Sequence, residues 1–206
     1  MIAVKDVKEL INIGRNAVWE IFQGSEFKIP ETIKEKYSEH KGVFTTIKTF
    51  PDNKLRGCIG VPLPLYPLWY SVIYSSIQAA FKDPRFKPLA PEEFGNVVWE
   101  LTILTPPEEI KVSKEEIPSL IEIGKHGLIV ERINNIGLLL PQVPVEHGWS
   151  PLEFLEYTCL KAGLPKDCWK DKSTKVYRFT GEVYKEVKPS LLKSSSTFSS
   201  GIGFAK

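Results

Sequence analysis

The sequence predicts a mixed α+β fold in which a largely antiparallel or mixed sheet is flanked by helices. Segments with helical spacing of apolar residues are intermingled with β-rich runs along the chain. Consecutive β-rich runs are mostly joined by turns of hairpin length, which suit antiparallel strands. The length of 206 residues exceeds one typical domain but falls short of two, so we expect two unequal lobes in one unit.

The first half of the chain predicts a helix, a hairpin, a second helix and a buried strand. Apolar residues follow helical spacing from Asp6 to Phe22, with Asp6 and Glu9 placed as a capping pair. Turn-forming residues at 51–54 separate two β-rich runs, and the prolines that follow the second run begin a helix near Pro67. The predicted elements are a helix at 6–22, strands at 42–50 and 55–61, a helix at 67–81 and a strand at 97–104.

The second half predicts another hairpin and another helix. Asn134 and Asn135 tolerate a positive φ and therefore suit a tight turn between two strands. Ser150 supplies an N-cap, Pro151 takes the first helical position and Gly163 closes the helix. The predicted elements are strands at 127–133 and 136–140 and a helix at 151–162.

The C-terminal part predicts one last strand and a tail. Alternating side chains at 175–187 indicate a strand, and Gly181 suggests a bend within it. Residues 190–206 are rich in serine and too poor in apolar bulk to order themselves, so we expect a flexible tail.

Composition excludes several classes of protein. The net charge is +2, with basic and acidic residues interspersed, which argues against nucleic-acid binding. No apolar run approaches the length of about 18 residues that spans a bilayer, and the N-terminus lacks a signal sequence, so a cytoplasmic location is expected. Cys58, Cys159 and Cys168 form no CxxC pair, which predicts reduced thiols. A single Met among abundant Lys, Glu and Ile resembles the composition of heat-adapted proteins.

The most informative segment is residues 55–60, with the sequence LRGCIG. Side chains alternate across a strand, so Leu55 and Ile59 are expected in the core while Arg56 and Cys58 share the other face. The thiol then lies roughly 7 Å along the strand from a guanidinium. A positive neighbour favours the thiolate, which is the nucleophilic form of cysteine. The two glycines remove side-chain cover and would let another backbone or a ligand approach.

Structural roles for these residues stay open. Free cysteine is among the most buried residue types, so Cys58 is also interpreted as a packing residue or a passive lining residue. A glycine in a strand often marks a bulge. A buried Arg56 needs a partner, and we expect Asp83 to supply it, although Asp83 is also suited to a turn ahead of Pro84.

A series of ordered blocks carries a family resemblance. The blocks are GVFTT at 42–46, LRGCIG at 55–60, AAFKDPRF at 79–86, GKHGL at 124–128, LLPQV at 139–143, Trp149 and KAGL at 161–164. They resemble the AMMECR domain, named for an Alport, midface-hypoplasia and elliptocytosis deletion syndrome, and LRGCIG is that family's hallmark. The resemblance covers nearly all of residues 1–189 and implies a two-lobed fold with the hallmark near a cleft. Some microbial relatives are encoded beside a Memo-like protein and a radical-SAM protein, and no activity is implied.

Four further side chains are candidate site groups. His126 and His147 would act as a base toward Cys58, or they are loop residues. Gln142 would fix a polar ligand, or it satisfies a neighbouring carbonyl. Lys125 would bind a carboxylate or phosphate, or it is a solvated surface charge. The histidines lack the spacing of metal ligands, so neither a metal nor a cofactor is expected.

These observations lead to competing hypotheses of function. The first is a cleft that binds a small anionic or peptide-like ligand, anchored by Arg56 or Arg85, with Cys58 as the nucleophile if the protein is an enzyme. The predicted site residues are Leu55, Arg56, Gly57, Cys58, Ile59, Gly60, Asp83, Arg85, Lys125, His126, Gln142 and His147. The rival is a non-catalytic module that docks on a Memo-like or radical-SAM protein through the surface at 62–70. Nucleic-acid binding is the third hypothesis, and the charge disfavours it.

Overall fold

The structure is a computed structural model that describes residues 3–190 and 204–205. It contains helices and antiparallel sheets, which confirms the predicted mixed α+β fold. In chain order the elements are α1 (Val4–Phe22), α2 (Glu31–Lys36), β1 (Val43–Thr49), β2 (Leu55–Val61), α3 (Leu68–Phe81), β3 (Val97–Leu104), β4 (Glu108–Glu109), β5 (Gly127–Arg132), β6 (Asn135–Leu139), α4 (Gln142–His147), α5 (Pro151–Lys161), β7 (Lys175–Phe179), β8 (Gly181–Glu186) and β9 (Phe204–Ala205). Short 3-10 helices lie at Pro91–Asn96, Lys114–Leu120 and Cys168–Lys170. The chain divides into a first unit, Met1–Leu104 with Glu182–Lys206, and a second unit, Thr105–Gly181.

The sheet of the first unit has the strand order β2-β1-β3-β8-β9. β1 pairs antiparallel with both β2 and β3, so the predicted hairpin is confirmed and β2 forms an edge of the sheet. The helix predicted to start near Pro67 and the strand predicted at 97–104 are also confirmed, as α3 and β3.

Helices α1 and α3 cover one face of this sheet. Apolar residues of both helices, among them Leu10 and Val72, are fully buried in the core of the unit. The predicted helix at 6–22 is confirmed, but the predicted capping pair is wrong, because no side chain caps α1. Asp6 and Glu9 instead pair with Lys36 at 2.8 Å and 2.6 Å.

A buried ion pair joins α1 to β8. Arg15 Nη1 lies 3.0 Å from Glu186 Oε2, and both side chains are 0% exposed. The Arg15 guanidinium lies 4.6 Å from the ring centroids of Phe94 and Trp99. Burial lowers the pKa of Arg15, and the charge of Glu186 opposes that shift. Removal of either partner would therefore leave an unpaired charge in the core.

A β-bulge changes the orientation of the LRGCIG segment. The register of β1 and β2 shifts between Ile47 and Lys48: Ile47 lies opposite Gly57, whereas Lys48 lies opposite Leu55. Arg56 is thus the extra residue of β2, and the simple alternation breaks there. The prediction that Leu55 lies in the core is wrong, because Leu55 is 39% exposed. Ile59 does pack, partly buried, against the core of the first unit.

The second unit contains a sheet with the order β4-β7-β5-β6, on which α5 packs. The predicted hairpin is confirmed as β5 and β6. The positive φ of its turn, however, belongs to Ile133 at 54°, which corrects the expectation that Asn134 or Asn135 would adopt it.

Local signals define α5 as predicted. The Ser150 side chain accepts a hydrogen bond from the Glu153 N–H, and the Glu153 carboxylate accepts one from the Ser150 N–H. Gly163, just past the helix, has a φ of 72°. These contacts satisfy both ends of the helix.

A disulfide joins Cys159 of α5 to Cys168. The prediction that all three thiols are reduced is therefore wrong for these two residues. Their separation of nine positions places one on a helix and the other on a following 3-10 turn, which no CxxC pattern would reveal. Cys58 is free.

The single last strand predicted at 175–187 is two strands. β7 belongs to the sheet of the second unit, whereas β8 belongs to that of the first. Most of the predicted tail, residues 191–203 and 206, lies outside the described residues. Ser190 is buried, and its carbonyl accepts a hydrogen bond from Arg15. Within the described ranges, no helix has both the length and the apolar character needed to cross a membrane.

Candidate functional site

Cys58 lies on the edge strand β2 and is partly exposed. Its Sγ accepts a hydrogen bond from Thr46 Oγ1 at 3.3 Å, across the β1–β2 pair. Since Cys159 and Cys168 are joined in a disulfide and the sequence holds three cysteines, Cys58 is the free thiol of the chain. The interpretation of Cys58 as a reactive thiol stays a prediction.

Asp83 and Arg85 hold the backbone of Cys58. Asp83 Oδ2 accepts a hydrogen bond from the Cys58 N–H at 2.8 Å, and Arg85 Nη2 donates to the Cys58 carbonyl at 3.3 Å. Arg85 Nη2 also donates to Asp83 Oδ2 at 2.7 Å, and Arg85 Nε donates to Asp83 Oδ1 at 3.0 Å. The structure thus brings three of the predicted site residues together.

The electrostatics of this trio follow from the same contacts. Hydrogen bonds from Arg85, and then the N–H of Cys58, hold the pKa of Asp83 well below its usual range despite burial. The pKa of Arg85 is raised, first by its hydrogen bonds to Asp83 and in smaller part by the Cys58 side chain. Asp83 is therefore ionised and Arg85 is cationic beside the sulfur.

Arg56 has a different partner from the one predicted. Its Nε and Nη2 donate to the two carboxylate oxygens of Glu93 at 2.8 Å and 2.9 Å. Nη1 and Nη2 also donate to the carbonyls of Lys87 and Pro88. The expected pair with Asp83 is wrong because Asp83 is occupied by Arg85, and Arg56 lowers the pKa of Glu93 instead.

Close packing accounts for both glycines of the hallmark. A Cβ on Gly57 would lie 2.1 Å from the carbonyl oxygen of Ala79, where α3 crosses the strand. A Cβ on Gly60 would lie 2.2 Å from the ring of Phe44. At Gly57 another backbone does approach, as one of the two expectations allowed, and at Gly60 the ring of Phe44 fills the position that a side chain would take.

The other predicted site residues belong to the second unit. His126 is buried, and its Nδ1 accepts a hydrogen bond from the Glu122 N–H at 3.0 Å. Lys125 Nζ donates to the Glu122 carboxylate at 2.9 Å and 3.0 Å. Burial lowers the pKa of His126, and the charge of Arg178 lowers it further. His126 is thus a neutral imidazole at neutral pH.

Gln142 and His147 lie at the two ends of the short helix α4. The sequence predicted no helix there, but the end of a strand at Gln142 and a loop at His147. Both side chains are exposed. The His147 ring stacks on Trp149 at a centroid distance of 4.7 Å, and Trp149 stacks on Tyr157 at 3.9 Å. His147 therefore has a packing role in the second unit that the sequence did not indicate.

Sequence reasoning missed Thr46, Glu93 and Arg178. Thr46 was part of a resembling block but carried no chemical signal of its own, and Arg178 was read only as one position of an alternating strand. Glu93 did have a local signal: it follows Pro91 at the start of a 3-10 turn and accepts the Ala90 N–H at 2.8 Å. Within residues 3–190 and 204–205, no group of three His, Cys, Asp or Glu side chains is close enough to hold a metal.

Comparison with known proteins identifies the family. Residues 11–184 match the family model AMMECR1. The chain is 70% identical to a protein of Aquifex aeolicus over 89% of this chain and 94% of that protein, and 53% identical to Protein NEQ441 of Nanoarchaeum equitans over 86% and 98%. The crystal structure of uncharacterized protein PH0010 from Pyrococcus horikoshii is similar with a TM-score of 0.71 at 47% identity, covering 88% of this chain and 91% of that chain. The relatives come from thermophiles, which fits the composition. The match confirms the resemblance to the AMMECR domain, and the chain belongs to the AMMECR1 family.

Proposed function

We propose that the first unit binds a small anionic or peptide-like ligand beside Cys58, with Arg85 as the anchor for its negative group. The observation that carries the proposal is the state of the Arg85 guanidinium. Its side chain is 54% exposed and reaches the Cys58 carbonyl. Among the described residues its Nη1 donates no hydrogen bond, while Nε and Nη2 are held by Asp83. A carboxylate can therefore bind Nη1 without displacing an existing contact.

Arg56 is less suited to this role than Arg85. All of its guanidinium nitrogens donate hydrogen bonds, and its side chain is 14% exposed. An anion would have to break the two-oxygen pair with Glu93 before it reached Arg56. We therefore take Arg85 rather than Arg56 as the anchor in this proposal.

Cys58 supplies the thiol chemistry in this proposal. An electrophilic ligand whose carboxylate lies on Arg85 would present its reactive carbon to the sulfur of Cys58, a residue that is partly exposed. The two residues are in contact, since Arg85 Nη2 donates a hydrogen bond to the Cys58 carbonyl at 3.3 Å.

Competing alkylation reagents test the anchor. Iodoacetate and iodoacetamide differ chiefly in the carboxylate, so the ratio of their rates at Cys58 reports the local attraction for an anion. One added charge at about 5 Å is worth on the order of 1 kcal/mol in a half-exposed site, or about fivefold in rate. We expect the iodoacetate-to-iodoacetamide ratio at Cys58 to exceed that of a free cysteine derivative by about this factor, as measured by intact mass spectrometry.

Two variants make the test specific. Arg85→Gln should return the ratio to that of the free thiol, whereas Lys87→Gln, which removes an exposed charge from the same loop, should leave it raised. Circular dichroism checks that both variants fold. A ratio in the unaltered protein equal to that of the free thiol would refute Arg85 as an anchor.

A second candidate function is docking on a protein partner. The observation that favours it is an exposed aromatic row: Tyr66, Tyr70 and Tyr74 are 46%, 40% and 42% exposed. Their ring centroids are 5.1 Å and 6.2 Å apart in succession, and Leu65 beside them is 60% exposed. Exposed aromatic groups of this kind are typical anchors of protein interfaces. The family resemblance indicates a Memo-like or radical-SAM protein as the partner.

Affinity capture separates the two functions. The double variant Tyr70→Ser with Tyr74→Ser should lose capture of a co-expressed Memo-like protein, while Tyr157→Ser, at an exposed position of α5, should retain it. Cys58→Ala should also retain capture. Loss of capture in the Cys58→Ala variant, or retention in the double variant, would contradict docking through this row.

A further inference from the structure

An open cavity of about 540 Å³ lies within the second unit. Four of its lining residues are charged, Glu108, Glu122, Lys125 and Arg178, and His126 lies among them. All lining residues fall between Thr105 and Thr180, so this cavity involves none of the groups around Cys58. Its charges include two acids and two bases, and its ability to bind a ligand depends on how each of them is already engaged.

His126 presents a hydrogen-bond donor to this cavity. The side chain is 5% exposed, and Nδ1 accepts a hydrogen bond from the Glu122 N–H, so the ring proton resides on Nε2. Among the described residues no acceptor engages that Nε2–H. Nε2 does not belong to the fully buried polar atoms that lack a partner, so a ligand oxygen that enters the cavity can accept its hydrogen bond in place of water.

Arg178 is held loosely at the same cavity. Its Nε and Nη2 both donate to a single oxygen of Glu108 at 3.3 Å, and Nη1 donates to the Leu120 carbonyl at 3.3 Å. Charge-assisted hydrogen bonds between a guanidinium and a carboxylate are usually about 2.7–2.9 Å long and involve both oxygens. The Glu108 side chain is 75% exposed, so it can leave Arg178 and return to solvent.

We propose that this cavity binds a small carboxylate ligand. The guanidinium fork of Arg178 takes both oxygens of the ligand in place of Glu108, and His126 Nε2–H donates to one of them. Lys125 stays paired with Glu122 and contributes positive potential at the rim. Arg178 and His126 both line this cavity, so a single ligand can contact the two donors.

Nuclear magnetic resonance of the histidine rings tests the proposal, with acetate as the probe. The chain has three histidines, at 40, 126 and 147, so His40 and His147 serve as internal controls. We expect acetate to shift the Nε2 signal of His126 in a saturable manner, with a dissociation constant in the millimolar range, and to leave His40 unchanged. Alkylation of Cys58 should not alter this result, which separates the inference from the thiol site.

Substitutions at Arg178 and its competitor sharpen the test. Arg178→Gln should weaken acetate binding at least about tenfold, the value of a lost charge-assisted pair, whereas Arg132→Gln in the neighbouring strand β5 should not. Glu108→Gln removes the competing carboxylate and should tighten binding several-fold, and its exposed position leaves folding intact.

Any one of several results would overturn the carboxylate site. The first is a shift of the NMR signal that grows linearly with acetate concentration and equally at all three histidines. The others are an acetate affinity that is unchanged in Arg178→Gln, or one that is unchanged or weaker in Glu108→Gln. Saturable binding of inorganic phosphate without any binding of acetate would also overturn it.

Discussion

Replacement of Asp83 by Asn tests the local structure of the LRGCIG segment. The Asp83 carboxylate is buried and accepts four hydrogen bonds, from the Cys58 N–H, the Arg85 N–H, Arg85 Nε and Arg85 Nη2. Each carboxylate oxygen therefore faces two donors. In the Asn variant one oxygen becomes an NH₂ group, so whichever way the amide turns, two donors lose their acceptor.

The cost follows from where those donors lie. An unpaired buried N–H costs about 1–3 kcal/mol. The Arg85 side chain is 54% exposed, so its guanidinium returns to water and adds only about 0–1 kcal/mol. We expect Asp83→Asn to lower the free energy of unfolding by about 2–3 kcal/mol at neutral pH.

The pH dependence gives this prediction a sign. Arg85 holds the pKa of Asp83 below its usual range in the folded protein, whereas in the unfolded chain it is about 3.9. A depressed folded pKa contributes stability that is fully present above the unfolded value and is lost as the pH falls toward the folded value. The difference between the two proteins should therefore shrink below about pH 4.

Guanidinium denaturation at neutral pH and at about pH 3 measures both effects. Asp52→Asn is the matched control, because the Asp52 side chain is 62% exposed and its nearest cation, Lys54, is 3.8 Å away. That variant should differ from the unaltered protein by less than about 0.5 kcal/mol. A loss of unfolding free energy below about 1 kcal/mol for Asp83→Asn, or a loss that does not change with pH, would refute the stabilising role of the Asp83 hydrogen bonds.

Three further predictions concern stability. Ile133→Gly should stabilise the protein by about 1 kcal/mol and so raise its melting temperature. Ile133 is 85% exposed and has a φ of 54°, a conformation that costs a branched side chain about 1–2 kcal/mol. Ile133→Val should have no such effect, and equal melting temperatures of all three proteins would contradict the explanation. Glu186→Gln should lower the free energy of unfolding by about 3–5 kcal/mol, since it leaves the charge of Arg15 buried without a partner. Lys185→Gln, at an exposed position, should lower it little. Similar losses in the two variants, measured by denaturant unfolding, would contradict the role of the buried pair. The Cys159–Cys168 disulfide joins residues nine positions apart. Its reduction should lower the free energy of unfolding of the second unit by about 2.5 kcal/mol, because the unfolded chain gains conformational entropy. A denaturation midpoint that does not change with reductant would show that the bond contributes nothing to stability.

Elements whose signals are local could be predicted from the sequence. Helix α5 is an example, because Ser150, Pro151 and Gly163 each act within a few residues of the helix end that they define. The β1–β2 hairpin was also predictable, since the turn at 51–54 lies between its two strands. In these cases the physical cause and its effect are neighbours in the chain.

Features that depend on distant residues could not be predicted. The pairing of Arg56 with Glu93 joins positions 37 apart and requires the 3-10 turn at Pro91–Asn96 to lie beside the edge strand. The exposure of Leu55 results from a bulge that only the register with β1 defines. Strands β7 and β8 belong to different sheets, although they follow each other directly in the chain. The alternation of side chains continues from one to the other, so the pattern alone predicts a single strand.

The site around Cys58 shows the same division. Alternation set Cys58 apart from Ile59, which packs against the core, and the resembling block at 79–86 contributed Asp83 and Arg85. Which acid binds which arginine was decided by the loop that follows α3, whose path the sequence did not reveal.

The contacts of Asp83 and Arg85 with Cys58 have a consequence for self-association. An exposed strand edge offers unpaired N–H and carbonyl groups on which a strand of another molecule can add, the first step toward fibrous aggregates. On β2 the outward N–H and carbonyl of Cys58 are already engaged by these two side chains. A strand of another molecule would have to displace both side chains before it could pair with β2 at this position. The Asp83–Arg85 pair therefore also protects the edge of the sheet from aggregation.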